Sequence, residues 1–310
     1  MRGEAAMENI YQRYTPEQME TIHLADFYTM LYAILGQTLL DALGIEGEAV
    51  LREATRRYGA DRGRTRRQNH LSANVKINMK NLFSIGSDLP TDPRFCGQAL
   101  KLTPEERNHR TLRCPMAELW GREGYQYVGR IYCEEFHPAC YGSYAYGYTR
   151  VGLARTLTQK GDSFCSFNII LRAENLPEEL KSICFEEYDP FFTGQTHDIP
   201  RAEGKSGYNS LCVRVYYYLL EVMRERFGEE RDGVLQKGLI AFARYAAGAL
   251  RTYAEEMGTP LTPAFVESHF PLSMQPEQEP LWARYAGHGA RKFLQAEFYP
   301  AFEKYLGFRS

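Results

Sequence analysis

No stretch of this chain approaches the roughly 18 consecutive apolar residues that a membrane-spanning helix needs, so a bilayer is not expected as its solvent. Nor is there an excess of charge of either sign: 37 Lys and Arg stand against 39 Asp and Glu, a formal net charge of -2. Binding to phosphate backbones usually leaves a basic surface, so nucleic acid is not expected as a partner. The first residues, MRGEAAMENIYQRYTPEQ, carry no apolar core behind a basic start and do not read as a secretory signal. Seven cysteines, an odd number scattered from Cys96 to Cys212, do not make a disulfide framework for 310 residues. Reduced thiols in a cytoplasm are the simpler expectation. A phosphate-cradling glycine loop, an H-E-x-x-H helix and a G-x-S-x-G elbow are all missing, which removes the commonest hydrolase signatures.

What is present is ordinary globular material, 44% apolar and 25% charged, enough to bury a substantial core. Thr15, Pro16 and Gln18 predict a helix start with a capping box, running to about Leu43 and stopped by Gly44. Apolar positions at Val50, Leu51, Ala54 and Tyr58 predict a second helix over 48–70, and a third is expected over 73–85. Two short extended runs, 98–102 and 109–113, flank the turn residues Thr103, Pro104, Glu105 and Glu106 and read as a hairpin. A helix over 115–135 follows, then a second hairpin, 149–158 with 164–172, around Gln159, Lys160, Gly161 and Asp162. Pro190, Gly194, Pro200, Gly204 and Gly207 mark 188–207 as a linker or lid. Helical patterns return over 208–227, 233–257, 263–270 and 280–306.

Two ungapped internal matches suggest a duplicated unit. LWGREGYQYVGRIYCEEFHPA, residues 119–139, aligns with LWARYAGHGARKFLQAEFYPA, residues 281–301, with seven identities, and 54–83 aligns with 241–270, again with seven. The difference in offset falls where the first hairpin sits. The expected fold is therefore α+β and predominantly helical: a small antiparallel sheet of about four strands packed by helices, plus an all-helical C-terminal half related to the first by duplication. The expected divisions are 1–187 for the module carrying the site, 188–207 for the linker or lid, and 208–310 for a degenerate repeat packed on the first unit.

Chemically loaded residues cluster between Cys114 and Phe167. In the repeat alignment Cys133, Glu134 and His137 face Gln295, Ala296 and Tyr299, whereas Glu135, Phe136, Pro138 and Ala139 keep their type. Retained positions read as packing and lost ones as candidates for function. Cys165, near the Gly161 turn on the strand face of Phe167 and Ile169, reads either as a core thiol or as a nucleophile or metal ligand. Asp162 suits the turn as well as catalysis. Cys133, His137 and Cys140 have a C-x3-H-x2-C spacing that is not a usual zinc pattern. Of the arginines at 56, 57, 62, 64, 66 and 67, most belong to a solvated face, but one or two have the fork geometry to clamp a substrate carboxylate.

The residues Cys114, Pro115, Met116, Ala117, Glu118, Leu119 and Trp120, then Ile131, Tyr132, Cys133 and Glu134, then Gly161, Asp162, Ser163, Phe164, Cys165, Ser166 and Phe167 together resemble the L-2-amino-thiazoline-4-carboxylic acid hydrolase family. Tyr58, Gly59, Ala60, Asp61, Arg62 and Gly63 are similar too, and the resemblance spans about 24–175. It implies hydrolytic opening of a small cyclic amidine or amide bearing a carboxylate. Such a carbon is open to attack by a thiolate from Cys165, Cys133 or Cys114, with Asp162, Glu118, Glu134 or His137 moving protons. No cofactor is firmly implied; a divalent metal activating water, held by the cysteines, is the mechanistic alternative. The layout also resembles sensor domains of the vinyl-reductase-associated type, which bind a small molecule or metal and catalyse nothing. A small-molecule partner is expected on either reading, and the oligomeric state is left open.

Overall fold

A computed structural model describes residues 13–86, 88–199 and 204–308. Most of the N-terminal segment and Pro200 of the linker lie outside the described residues, as does Ser310. The first helix, α1 (Pro16–Leu43), begins where the capping box predicts: the Gln18 N–H donates to Thr15 Oγ1 (3.3 Å) and the Thr15 N–H to Gln18 Oε1 (3.0 Å). Its sequence is apolar around the whole cylinder, which suits only a helix surrounded by others. It is the central helix, touching α2 (Ile45–Ser72), α4 (Pro115–Arg122), α7 (Lys205–Phe227) and α8 (Asp232–Glu256). The positive φ of Gly44 (55°) turns the chain from α1 into α2.

The remaining elements are α3 (Met79–Ser84), β1 (Cys96–Leu102), β2 (Glu106–Arg113), α5 (Gln126–Tyr144), β3 (Arg150–Arg155), β4 (Cys165–Ile170), α6 (Glu178–Cys184), α9 (Pro263–His269), α10 (Leu281–Arg284), α11 (Ala290–Glu297) and α12 (Tyr299–Leu306). The four strands form one antiparallel sheet in the order β1-β2-β4-β3, with Thr111 opposite Cys165 and His109 opposite Phe167. Among the described residues no strand falls outside the two hairpins. The fold is α+β and predominantly helical, as expected. Cys165, Phe167 and Ile169 alternate into the protein on β4, while every residue of the edge strand β1 is exposed.

Three expectations about helices differ from what is observed. The predicted helix 115–135 is two helices, because Gly124 takes φ 83° and breaks the chain between α4 and α5. α5 then runs on past Pro138, whose ring normally disrupts a helix interior. Packing against α2 outweighs that: Gly59 and Gly63 bring the two backbones into direct contact, and a Cβ added at Gly63 would stand 2.1 Å from the Cys140 carbonyl oxygen. The predicted helix 280–306 is divided into short pieces, because His288 and Gly289 take positive φ (55° and 61°). α3 starts only at its Asn78 cap, since the Ile77 N–H is committed to the Ile183 carbonyl (3.1 Å).

One hydrophobic core joins α1, α2, α4 and α5 to α7, α8 and the C-terminal helices, so the two halves bury their apolar faces together. A smaller core lies between the sheet, α3, α6 and the end of α5, around Tyr144, Phe167, Ile169 and Phe185. The stretch after α6 lies along the end of α2: Lys76 Nζ meets Asp189 (2.5 Å) and the His197 N–H donates to the Ala73 carbonyl (2.9 Å).

Candidate active site

α4, α5 and the second hairpin, with α1 and α2, line a cavity of about 460 Å³. α4 is docked by the Trp120 indole, whose N–H donates to the Thr29 carbonyl of α1 (3.0 Å) and whose ring forms one wall. Cys114 precedes α4 and lines the cavity; Cys133, Phe136, His137 and Cys140 reach it from α5, and Thr158, Cys165 and Phe167 from the hairpin. Helical spacing explains the α5 set, since residues three, four and seven apart share a face. Cys114, Cys133 and Cys165, expected as alternative sources of the sulfur, all line this one cavity. Tyr208 and Leu211 of α7 also line the cavity, so the C-terminal half contributes to its wall.

The thiols are uncharged at rest. Burial pushes Cys114 up to about 12 and Cys140 to about 11, and raises Cys133 and Cys165 as well. Against this, backbone N–H groups of Ala117 and Met116 face the Cys114 sulfur, the Leu157 N–H donates to Cys165 Sγ (3.3 Å), and Thr158 offers its hydroxyl to Cys133. Burial, with the Arg62 and Arg107 charges, lowers His137 to about 3, so its imidazole is neutral. Its Nδ1 is buried without a hydrogen-bond partner, and its ring stands edge-on to Phe167 (centroids 5.0 Å apart).

A chain of hydroxyls borders the same space: Tyr28 lies 2.8 Å from both Tyr58 and Tyr132. Three hydroxyl protons serve two contacts, so one donor is left over for another acceptor. The far end of the cavity is charged. Arg62 forks onto Asp88 (2.6 and 2.7 Å), and Arg94 bridges Asp26 (2.7 Å) and Asp92 (2.7 Å). Burial opposes the charge on Asp88, but Arg62 and Arg66 hold its carboxyl well below the usual range. Asp26 is raised by burial despite Arg94.

Three expected proton carriers do not line this cavity. Glu134 faces outward and pairs with Arg52 (2.9 Å) and Arg130 (2.6 Å). Glu118 pairs with Arg113 at the surface (2.7 Å). Asp162 accepts the Thr156 N–H (3.0 Å), which closes the turn carrying Thr158. Of the arginine run, Arg62 and Arg66 line the cavity. Sequence reading gave no role to Tyr28, Asp88, Asp92 or Arg94, and named Tyr132 only within the resembling motif; for Asp92 and Arg94 the alternating charges were the local signal. The three thiols do not close into a metal site: among the described residues, the one group of three ligand-type side chains with donor atoms within 4.8 Å of one another is Glu221, Glu225 and His288. That group is superficial, and both its carboxylates are paired with Arg57 (3.0 and 2.8 Å).

Residues 25–169, from α1 through β4, match the family model for L-2-amino-thiazoline-4-carboxylic acid hydrolase. Over these residues, just under half of its length, the chain is similar to that family. The matched segment supplies Cys114, Cys133, His137 and Cys165, whereas the part of the wall formed by Tyr208 and Leu211 lies beyond it. No curated protein and no solved structure matches the chain. The family name is that of a hydrolase, and among the described residues no helix is long and apolar enough to cross a membrane.

Proposed function

We propose that this protein is a hydrolase of a small cyclic amidine or amide bearing a carboxylate, with Cys165 as nucleophile and His137 as its proton-transfer partner. The observation that carries the reading is the convergence of three thiols and an unpartnered imidazole nitrogen in one cavity also lined by arginines. Among the thiols Cys165 is favoured because burial raises it less than Cys114, while its sulfur still accepts the Leu157 N–H. Cys114 and Cys133 then shape the wall.

The reaction balances without a cofactor. Addition of the Cys165 thiol across the C=N bond forms a carbon–sulfur bond and transfers the thiol proton to nitrogen, directly or through His137. Collapse breaks the ring bond to the leaving heteroatom, which takes up a proton. Water then attacks the same carbon, the carbon–sulfur bond breaks, and the thiol regains its proton. A substrate nitrogen basic enough to accept the proton explains how a neutral resting thiol serves as nucleophile. The spare tyrosine hydroxyl stabilises the charge that develops in the adduct.

One observation favours a second reading. Thiols held neutral beside aromatic walls also suit a binding module with inert cysteines, as in a small-molecule sensor. Replacing Cys165, Cys133 and Cys114 singly by Ser, and measuring melting temperature, binding and turnover of a cyclic amidine carboxylate, separates the two. The catalytic reading expects Cys165→Ser to abolish turnover while binding and melting temperature persist. Turnover retained in all three variants overturns the nucleophile assignment, and binding without turnover in the unmodified protein favours the sensor.

A further inference from the structure

The three arginines that line the thiol cavity are already engaged. Arg62 forks onto Asp88, Arg94 bridges Asp26 and Asp92, and Arg66 donates to the Leu82, Ile85 and Gly86 carbonyls (3.2, 2.7 and 2.7 Å). A substrate carboxylate has to displace a partner from any of them. Arg107 of β2 differs. It stands opposite the fully buried Ile169, so with His109 opposite Phe167 and Thr111 opposite Cys165 it belongs to the inner face of the sheet, the face that carries the Cys165 thiol.

The Arg107 guanidinium sits over the Phe83 ring, its Cζ 3.9 Å from the centroid, and among the described residues it forms no ion pair; the Tyr141 hydroxyl is the group nearby that favours its charge. The carboxylates that precede it are committed elsewhere: Glu106, one position back and so on the outer face, binds Lys101 (2.6 Å), and Glu105 binds Arg172 (2.9 Å). Burial without a counter-ion holds Arg107 below the ordinary guanidinium value. Its field also adds to the burial that lowers His109 to about 4 and His137 to about 3, and both imidazoles keep a buried Nδ1 without a hydrogen-bond partner. A half-buried positive charge that no carboxylate neutralises is unfavourable until an anion joins it.

Phe83 and Tyr141, which flank Arg107, meet edge to face (5.3 Å between centroids), and both line the cavity, as does His137. A guanidinium over a ring is held there through its charge, which leaves its planar fork of N–H donors free for two carboxylate oxygens. Along β4 the partners of Thr111 and Arg107, Cys165 and Ile169, are ~13 Å apart. Two side chains, with a small ring and its carboxylate between them, span that distance.

We propose that Arg107 is the specificity-determining residue of this site, taking the substrate carboxylate in its fork at the Phe83–Tyr141 edge of the cavity. The assignment rests on the substrate class of the proposed function and is independent of which thiol reacts.

The test compares two probes on the full chain, 2-aminothiazoline-4-carboxylate and its neutral carboxamide, with affinity read by calorimetry or from KM where a probe turns over. The unmodified protein should bind the carboxylate at least tenfold more tightly than the carboxamide. Arg107→Met keeps a side chain over Phe83 without the charge; it should lose at least tenfold in affinity for the carboxylate and less than twofold for the carboxamide. Arg107→Lys keeps the charge but not the fork, and should lose at least threefold for the carboxylate alone, which decides the question if the Met variant does not fold. A carboxylate preference that is absent from the unmodified chain, or unchanged within twofold in the variants, overturns the assignment, and so does equal loss of both probes, the mark of a purely structural arginine. Binding of neither probe overturns the substrate class and this assignment with it. An Arg107-dependent preference without turnover upholds this assignment and refutes the catalytic reading alone.

Discussion

Replacing Gly63 by Ala isolates the contact that places the thiol-bearing helix. Gly63 lies inside α2, where alanine is intrinsically better by ~1 kcal/mol. The added methyl, however, would stand 2.1 Å from the Cys140 carbonyl oxygen and 3.0 Å from the Tyr144 nitrogen. Both are backbone atoms of α5 and cannot rotate aside. Overfilling a packed interface typically costs ~1–3 kcal/mol, and a backbone obstruction belongs at or above the upper end of that range. After the propensity gain, a net loss of ~2 kcal/mol is expected. Gly248 is the internal control, because it lies exposed within α8 and nothing falls within 4 Å of an added Cβ. There the propensity term acts alone, and Gly248→Ala should stabilise by ~1 kcal/mol. Denaturant unfolding of the two variants should therefore give shifts of opposite sign. A Gly63→Ala protein as stable as the unmodified one would show that α2 and α5 are not in backbone contact, and the placement of Cys133 and His137 would fall with it.

Acid should destabilise the protein well before its carboxylates are protonated. His23 and His269 share one proton between Nδ1 atoms 3.0 Å apart, burial lowers His23 to about 3, and burial beside Arg66 lowers His70 to about 4. Unfolded histidine takes up a proton below about 6.5 while these folded ones do not, so stability present above that pH is lost as the pH falls toward 4–3. Each contributes up to ~1.4 kcal/mol per pH unit; a melting temperature flat between pH 7 and 4.5 would contradict this. Tyr28→Phe removes the shared partner of two buried hydroxyls and should cost more than Tyr132→Phe, which strands one; an unsatisfied buried group costs ~1–3 kcal/mol. Equal melting temperatures would argue against the hydroxyl chain. Truncation after residue 200 should strip α7 and α8 from the shared core and give aggregation or dimerisation. A soluble monomeric fragment with unchanged melting temperature would mean that the C-terminal half is an independent domain.

Local chemistry was legible in the sequence wherever one or two neighbouring residues decide the backbone. The Thr15–Gln18 capping box, the stop at Gly44 and the two hairpins all stand where caps, glycines and alternation put them, because those signals act within a few residues. Cys114, Cys133, His137 and Cys165 could be singled out by residue type and by the family resemblance. Their surroundings could not. On α5 adjacent residues are turned about 100° from one another, so Cys133 lines the cavity while Glu134 joins the surface arginines, and only the close approach of α2 fixes which side is which. The charged end of the cavity, Asp88, Asp92 and Arg94, comes from irregular chain with no periodicity to read, and its partner Asp26 belongs to α1. Arg66 and Arg214, far apart in sequence on α2 and α7, line one small cavity only because the two helices pack together, Arg66 beside Asp88 and Arg214 beside Asp61.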